Sequence, residues 1–289
     1  MQDPVIVIGT GEMGGVFTRG LLRLGHPIFP VNRKTNLQKI SKAVPEPRLV
    51  LVAVGENDLH PALDTIPQEW HTHLGLLQNE LLPDDWKQHH IKNPTVISVW
   101  FEKKKGQDFK VLIPSPIYGP QAALLENALA TLDIPSWELE SEAELEFELV
   151  RKNVYILTTN IAGLVIDGTV DDLWFKHEEL ARHIANEVMD IQAWLVGHHL
   201  ERERLIEGMV EGIKGDLQHK CMGRSAPARL ARAIQHADEA GLKIPKLREI
   251  GPHSSHAAEI FNSRLQIKAG IKDECEWKNK KTKKGRRIY

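Results

Sequence analysis

The chain has 289 residues, a formal net charge of −2, two cysteines and 6% aromatic residues. That length allows two domains and a substantial core, and near-neutral charge gives no global reason to expect nucleic acid or a membrane as partner. Cys221 and Cys275 are far apart and lack metal-ligand spacing, which suits a reducing compartment. No apolar run is long enough to cross a bilayer, and Met-Gln-Asp-Pro leads at once into an apolar segment, so no secretory signal is expected. The expectation is a cytoplasmic, soluble protein.

Residues 5–15 read Val-Ile-Val-Ile-Gly-Thr-Gly-Glu-Met-Gly-Gly, a buried strand running into G-x-G-x-x-G. Gly9 permits the tight turn, Gly11 lets the backbone approach a pyrophosphate, and Gly14 lets the next helix pack close to the sheet. Glu12 and Met13 open that helix, whose free N–H groups and partial positive charge favour phosphate. The pattern reads as a dinucleotide site; the plain alternative is a glycine turn between strand and helix.

A second short strand, Pro27 to Val31, leads into Asn32-Arg33-Lys34-Thr35. A site for NAD usually carries an acid here for the ribose 2′-hydroxyl. Arg33 and Lys34 offer cations instead, and Asn32 and Thr35 neutral hydrogen-bonding groups, which suit the 2′-phosphate of NADP(H). An ordinary basic surface turn is the competing reading.

Leu49–Val54 reads as another buried strand, His73–Leu77 as a short one, and Thr95–Trp100 and Lys110–Ile113 as two more around a polar turn at Lys103–Asp108. Ser115-Pro116-Ile117-Tyr118-Gly119-Pro120 reads as a rigid loop. Strands alternating with helices predict an α/β, Rossmann-type, doubly wound and mostly parallel sheet. From Glu138 the texture turns helical, over Glu142–Ile166, Asp171–Gly197, His199–Gly215, Ala226–Gly241 and His256–Ala269. The expected organisation is a dinucleotide domain at 1–139, an all-helical substrate and dimerisation domain at 140–277, and a disordered basic tail at 278–289. The tail has no interleaved aromatic residues, so nucleic acid is not an expected partner.

Four further segments, in order, resemble motifs of the ketopantoate reductases (2-dehydropantoate 2-reductases). Leu76-Leu77-Gln78-Asn79 is similar to that family's Gln-Asn-Gly signature. Lys152, with Asn160 two turns on, resembles its Lys and Asn motif. Gln218 to Arg224 and Gly241 to Pro245 resemble the stretches before and at the end of its catalytic region. The resemblance implies a two-domain reductase with NADPH in the Rossmann domain and a small carbonyl compound, a 2-oxo acid, in the cleft. It implies Lys152 as general acid, Asn79 near the nicotinamide with Gln78 beside it, and Asn160 against the substrate. It also admits a homodimer. Independently, a lysine in the apolar run Phe147 to Ile156 has its charged form disfavoured, a route to an acid active near neutrality. Lys152 and Asn160 fall about 80° apart around a helix and can face one cleft.

The chain departs from the family in its substrate half. Gly55-Glu56-Asn57 stands where a lysine is usual, Glu80 replaces the signature glycine, and Ile156 replaces a second Asn. The family's acid, associated with holding the substrate hydroxyl, aligns with Pro227, and its substrate-binding serine falls near Gly215. Ketopantoate itself therefore loses a contact, and Arg224, Arg229 or Lys214 offers a cation for a different acid. Two alternatives stay open: a non-catalytic NADP(H)-binding regulator or scaffold, and an imine or hydroxyacid dehydrogenase with a helical C-terminal domain. The paired histidines, such as His89/His90 and His198/His199, match no metal pattern, so no metal is expected.

Overall fold

The structure, a computed structural model, describes residues 2–251. The expected helix at His256–Ala269, the basic tail, Cys275 and the end of the 140–277 segment lie outside the described residues. In chain order the first half comprises β1 (Val5–Ile8), α1 (Glu12–Arg23), β2 (Ile28–Val31), α2 (Leu37–Ala43), β3 (Leu49–Val52), α3 (Leu59–Leu63), β4 (Leu74–Leu76), α4 (Pro83–Lys87) and β5 (Thr95–Ile97). Then follow β6 (Phe101–Lys103), β7 (Phe109–Val111), β8 (Ser115–Tyr118), α5 (Ala122–Ala130) and β9 (Ser136–Glu138). The helical C-terminal part contains α6 (Glu142–Ala162), α7 (Val170–Lys176), α8 (Glu178–Val196), α9 (Arg202–Gly215) and α10 (Ala226–Ala240).

Seven strands form one sheet in the order β2-β1-β3-β4-β5-β8-β9. The first five are parallel; β8 runs antiparallel to β5 and carries β9 parallel to itself. The strands β1 (VIVI) and β3 (LVLV) are apolar without alternation because both faces of the sheet are covered. Val5, Val7, Leu49 and Leu51 pack with Phe17 and Leu21 of α1 and Leu125 and Leu129 of α5. Ile6, Ile8, Val50 and Val52 belong to the opposite core, which continues without a break into α6 to α10. The chain leaves β1 toward β2 on one side and returns to β3 on the other. The carboxyl ends of β1 and β3 therefore flank the crevice where ligands of such sheets bind.

Three local expectations need correction. Ser115–Tyr118 is a strand and not a loop: Pro116 lacks a donor, but its carbonyl still accepts from Ser98 N at 3.0 Å, so the ladder survives. Lys103 closes strand β6 of a hairpin with β7, and the polar turn begins after it. The long helix expected over Asp171–Gly197 is broken at His177, which leaves helical geometry and caps both α7 and α8. Among the described residues no helix is long and apolar enough to cross a membrane.

α1 tests this packing. A β-carbon on Gly14 would lie 2.1 Å from Gly9 O, whereas one on Gly15 would meet nothing within 4 Å. Gly14→Ala is expected to destabilise the protein by about 2 kcal/mol, and Gly15→Ala to stabilise it by about 0.5–1 kcal/mol through helix propensity. Denaturant melts of both variants check the contrast.

Candidate functional site

The glycine turn after β1 has the form its sequence suggests. Gly9 adopts φ +96, and a β-carbon there would sit 2.6 Å from Ala53 O at the end of β3. Gly14 is equally closed, while a β-carbon on Gly11 would stand in open space. Close packing is thus confined to the two glycines that seat the helix, and the one expected to face a pyrophosphate is bare. Gly11 caps α1 without a side-chain bond, so no capping side chain covers the starting N–H groups of the helix. A cavity of about 700 Å³, lined by Gly9, Gly11, Asn32, Arg33, Val54 and Asp58, adjoins it. These residues fit a dinucleotide.

The residues after β2 divide. Arg33 lines this cavity, its exposed guanidinium paired with Asp58 at 2.9 Å. Asn32 spends its side chain on the turn itself: Oδ1 accepts from Lys34 N at 2.9 Å, while its backbone N–H donates to Thr35 Oγ1 at 3.0 Å. Lys34 is exposed and is not part of the cavity wall. Glu12, in the first turn of α1, accepts from Lys103 Nζ at 3.1 Å, and Met13 packs on the core side of α1. Gln78 is engaged internally: its amide donates to Val52 O at 2.7 Å and Val54 O at 3.3 Å, and its Oε1 accepts from Leu77 N. Its side chain ties the end of β4 to β3.

Lys152 sits where α6 crosses the carboxyl end of β5. Only 9% exposed, it donates from Nζ to Val99 O at 2.6 Å and lies 4.3 Å from the ring centre of Trp100. Burial, reinforced by the charges of Arg229 and Arg151, brings it from the ordinary lysine value down to about 7. The helix that carries it starts at Ser141, whose side chain accepts from Glu144 N, and packs against α8, α9 and α10. A cavity of about 210 Å³ opens beside it, lined also by Tyr155, Asn160, His219, Lys220 and Arg229. Lys152 and Asn160 therefore do share one cleft. Asn79 does not line it.

Asn79 and Asn160 are joined through a cluster of charged side chains that lie far apart along the chain. Asn79 Nδ2 donates to Glu56 Oε1 at 3.1 Å. Arg229, buried on α10, donates to the same Glu56 oxygen, from Nε to Glu80 Oε1 at 3.0 Å, and from Nη1 to Asn160 Oδ1 at 2.7 Å. Arg232 adds bonds to Glu80, from Nε to Oε2 at 3.2 Å, and to Asn57 Oδ1 at 3.0 Å. Asn160 is further held by donating to Cys221 O at 3.3 Å. Glu80 adopts φ +63, a left-handed conformation that favours glycine, at a cost of about 1–2 kcal/mol.

Two more polar groups beside Lys152 escaped the sequence reading. The Tyr155 hydroxyl and His219 Nδ1 are buried with no hydrogen-bond partner within the protein. Burial pushes the tyrosine's pKa up and the histidine's down, so both are neutral at physiological pH. The signal for Tyr155 was helical spacing, one turn after Lys152. Nothing in the sequence marked His219, which a loop brings in. The Cys221 thiol is pushed up to about 12 by burial, which makes it a poor nucleophile.

No family model matches the chain, and no curated protein matches it in sequence. Solved structures do match. A PanE/ApbA family ketopantoate reductase from Ralstonia eutropha JMP134 superposes with a TM-score of 0.63 at 15% identity, covering 88% of this chain and 98% of that one. The chain has the ketopantoate reductase fold. The dimeric ketopantoate reductase of Staphylococcus aureus shares it at 15% identity, TM-score 0.60, over 89% of this chain and 99% of that one. D-mandelate dehydrogenase, solved with NADH and anilino(oxo)acetate, shares it at 13% identity, TM-score 0.62, over 89% and 99% of the respective chains. The ketopantoate reductase fold thus spans nearly the whole length of each neighbour, and the identities leave the chemistry to the residues themselves.

The Glu56–Glu80–Arg229 cluster has a measurable weight. Removing one partner of a buried ion pair leaves the others uncompensated, a loss of about 3–5 kcal/mol, which exceeds the backbone strain at Glu80. Arg229→Ala is therefore expected to destabilise the protein by about 3 kcal/mol or more. Arg232→Ala, at a side chain 29% exposed, should cost about 1 kcal/mol or less. Equal losses in denaturant titration would contradict this division.

Proposed function

We propose that the chain is an NADP(H)-dependent reductase of a small carbonyl substrate, a 2-oxo acid, with Lys152 as proton donor. The observation that carries this reading is a buried lysine, near neutral in affinity, at the carboxyl end of a parallel sheet whose first turn is G-x-G-x-x-G. The nucleotide, held at Gly9, Gly11, Gly14 and the starting N–H groups of α1, would supply the hydride.

The residues of the chain do the rest. As negative charge develops on a ketone oxygen, the Lys152 ammonium stabilises it and delivers the proton. Val99 O orients that ammonium, and the surrounding apolar wall keeps it easily deprotonated. Asn160 is fixed by Arg229 and Cys221 O, with one amide hydrogen left for substrate. The neutral Tyr155 and His219 supply further hydrogen-bonding groups on the wall. Arg33 supports NADP(H): its pairing with Asp58 is exposed, worth about 1 kcal/mol or less, and a doubly charged phosphate outcompetes it. A homodimer, as for the Staphylococcus aureus neighbour, belongs to the same proposal.

Kinetics with a panel of 2-oxo acids test the reading. Lys152→Ala should lower kcat by about 10²–10⁴-fold while NADPH affinity changes little. In the reducing direction the protonated amine is required, so wild-type turnover should fall as pH rises through about 7, and this limb should vanish in the variant. Near-normal turnover of Lys152→Ala would remove the proton donor, whereas nucleotide binding without turnover on any substrate would favour the regulator. Arg33→Ala should weaken NADPH by about tenfold, about 1.4 kcal/mol, and NADH hardly at all. Equal weakening would remove the preference for the 2′-phosphate.

A further inference from the structure

The turns after β3 and β4 hold Glu56 and Glu80, and α10 holds Arg229 and Arg232. The sheet side is acidic and the helical side cationic, and the groups meet in one cluster of two carboxylates and two guanidiniums. Three of the five N–H donors of Arg229 are engaged by Glu56, Glu80 and Asn160, so its carboxylate-binding capacity is largely committed within the protein.

We propose that Glu56 and Arg229 are positioning residues for the Lys152 site: an ionic bridge between the turn after β3 and α10 that fixes Asn160 and sets the electrostatic surroundings of the ammonium. The inference rests on Lys152 being the proton donor. The relay is continuous, from Asn79 through Glu56 and Arg229 to Asn160 and the Cys221 carbonyl. Other charged groups around the cleft are internally balanced: Arg151 on α6 pairs with Glu148 and Glu211, and Lys104 pairs with Glu102. His219 is kept neutral by burial, and Lys220 is exposed at the rim. Arg229 differs because its balancing acids come from the turns after β3 and β4. Its charge is one cause of the low proton affinity of Lys152.

The two partners of one ion pair should therefore act on Lys152 with opposite sign. Arg229→Gln removes a cation, so Lys152 should hold its proton to higher pH. Glu56→Gln removes an anion, so Lys152 should release it at lower pH. The expected displacements are about half a pH unit or more. They would be read on the full chain without nucleotide, from the ε-carbon resonances of labelled lysine, with Lys152 assigned by its absence in Lys152→Arg. The falling limb of kcat with NADPH should move the same way. Shifts in the same direction, or none, would overturn the bridge, since a merely structural role lowers turnover in both variants without opposed titrations. If Arg229→Gln does not fold, Glu56→Gln and Arg229→Lys decide: a downward shift in the first and none in the second supports the proposal, and no downward shift in the first ends it. Retained turnover in Lys152→Ala would remove the donor role while leaving the resonance titration to judge the bridge.

Discussion

The bond from the Lys152 amine to the Val99 carbonyl is the contact on which the reading of this molecule rests. It pins a titratable group of the helical part to the carboxyl end of a parallel strand, the edge where such sheets bind ligands. A buried ammonium is unfavourable unless hydrogen-bonded or paired. Here one carbonyl and the face of Trp100 are its partners, and two nearby guanidiniums oppose it. The outcome is an amine that changes charge near neutrality. That is a poor arrangement for stability and a suitable one for proton transfer.

The rest of the fold fixes that group and the glycine turn on the strand ends of one sheet. Apolar strands covered on both faces leave no slack in the sheet, so the ends of β1, β3, β4 and β5 present their turns in fixed register. Gln78 reinforces this by tying the β4 turn back to β3. The helical part then meets those turns through ionic contacts among Glu56, Glu80, Arg229 and Arg232. The left-handed backbone at Glu80 accompanies the contacts of its carboxylate with Arg229 and Arg232.

Much of the fold was legible in the sequence because its signals are local. The run Val5 to Ile8 into three spaced glycines, and the long apolar periodicity around Lys152, each specify an element without reference to distant residues. β8 was hidden by Pro116, whose missing donor argues against a strand unless the neighbours are known. The break at His177 depends on a cap that competes with helix periodicity. In the site, Lys152, Asn160 and the glycines could be chosen from spacing and resemblance. Gln78 and Asn32 could not be judged, since their side chains satisfy backbone groups visible only in the folded chain. Glu56 and Glu80 each look like an isolated departure along the chain and Arg229 like a free cation, and their pairing exists only in three dimensions.

A crystal structure with NADPH and oxamate, an unreactive mimic of a 2-oxo acid, examines the central assignment most directly. The diphosphate should lie against Gly11 and the start of α1, with the oxamate carbonyl oxygen within hydrogen-bonding distance of Lys152 Nζ. Nucleotide absent from that crevice at saturating concentration, or oxamate bound away from Lys152, would contradict it.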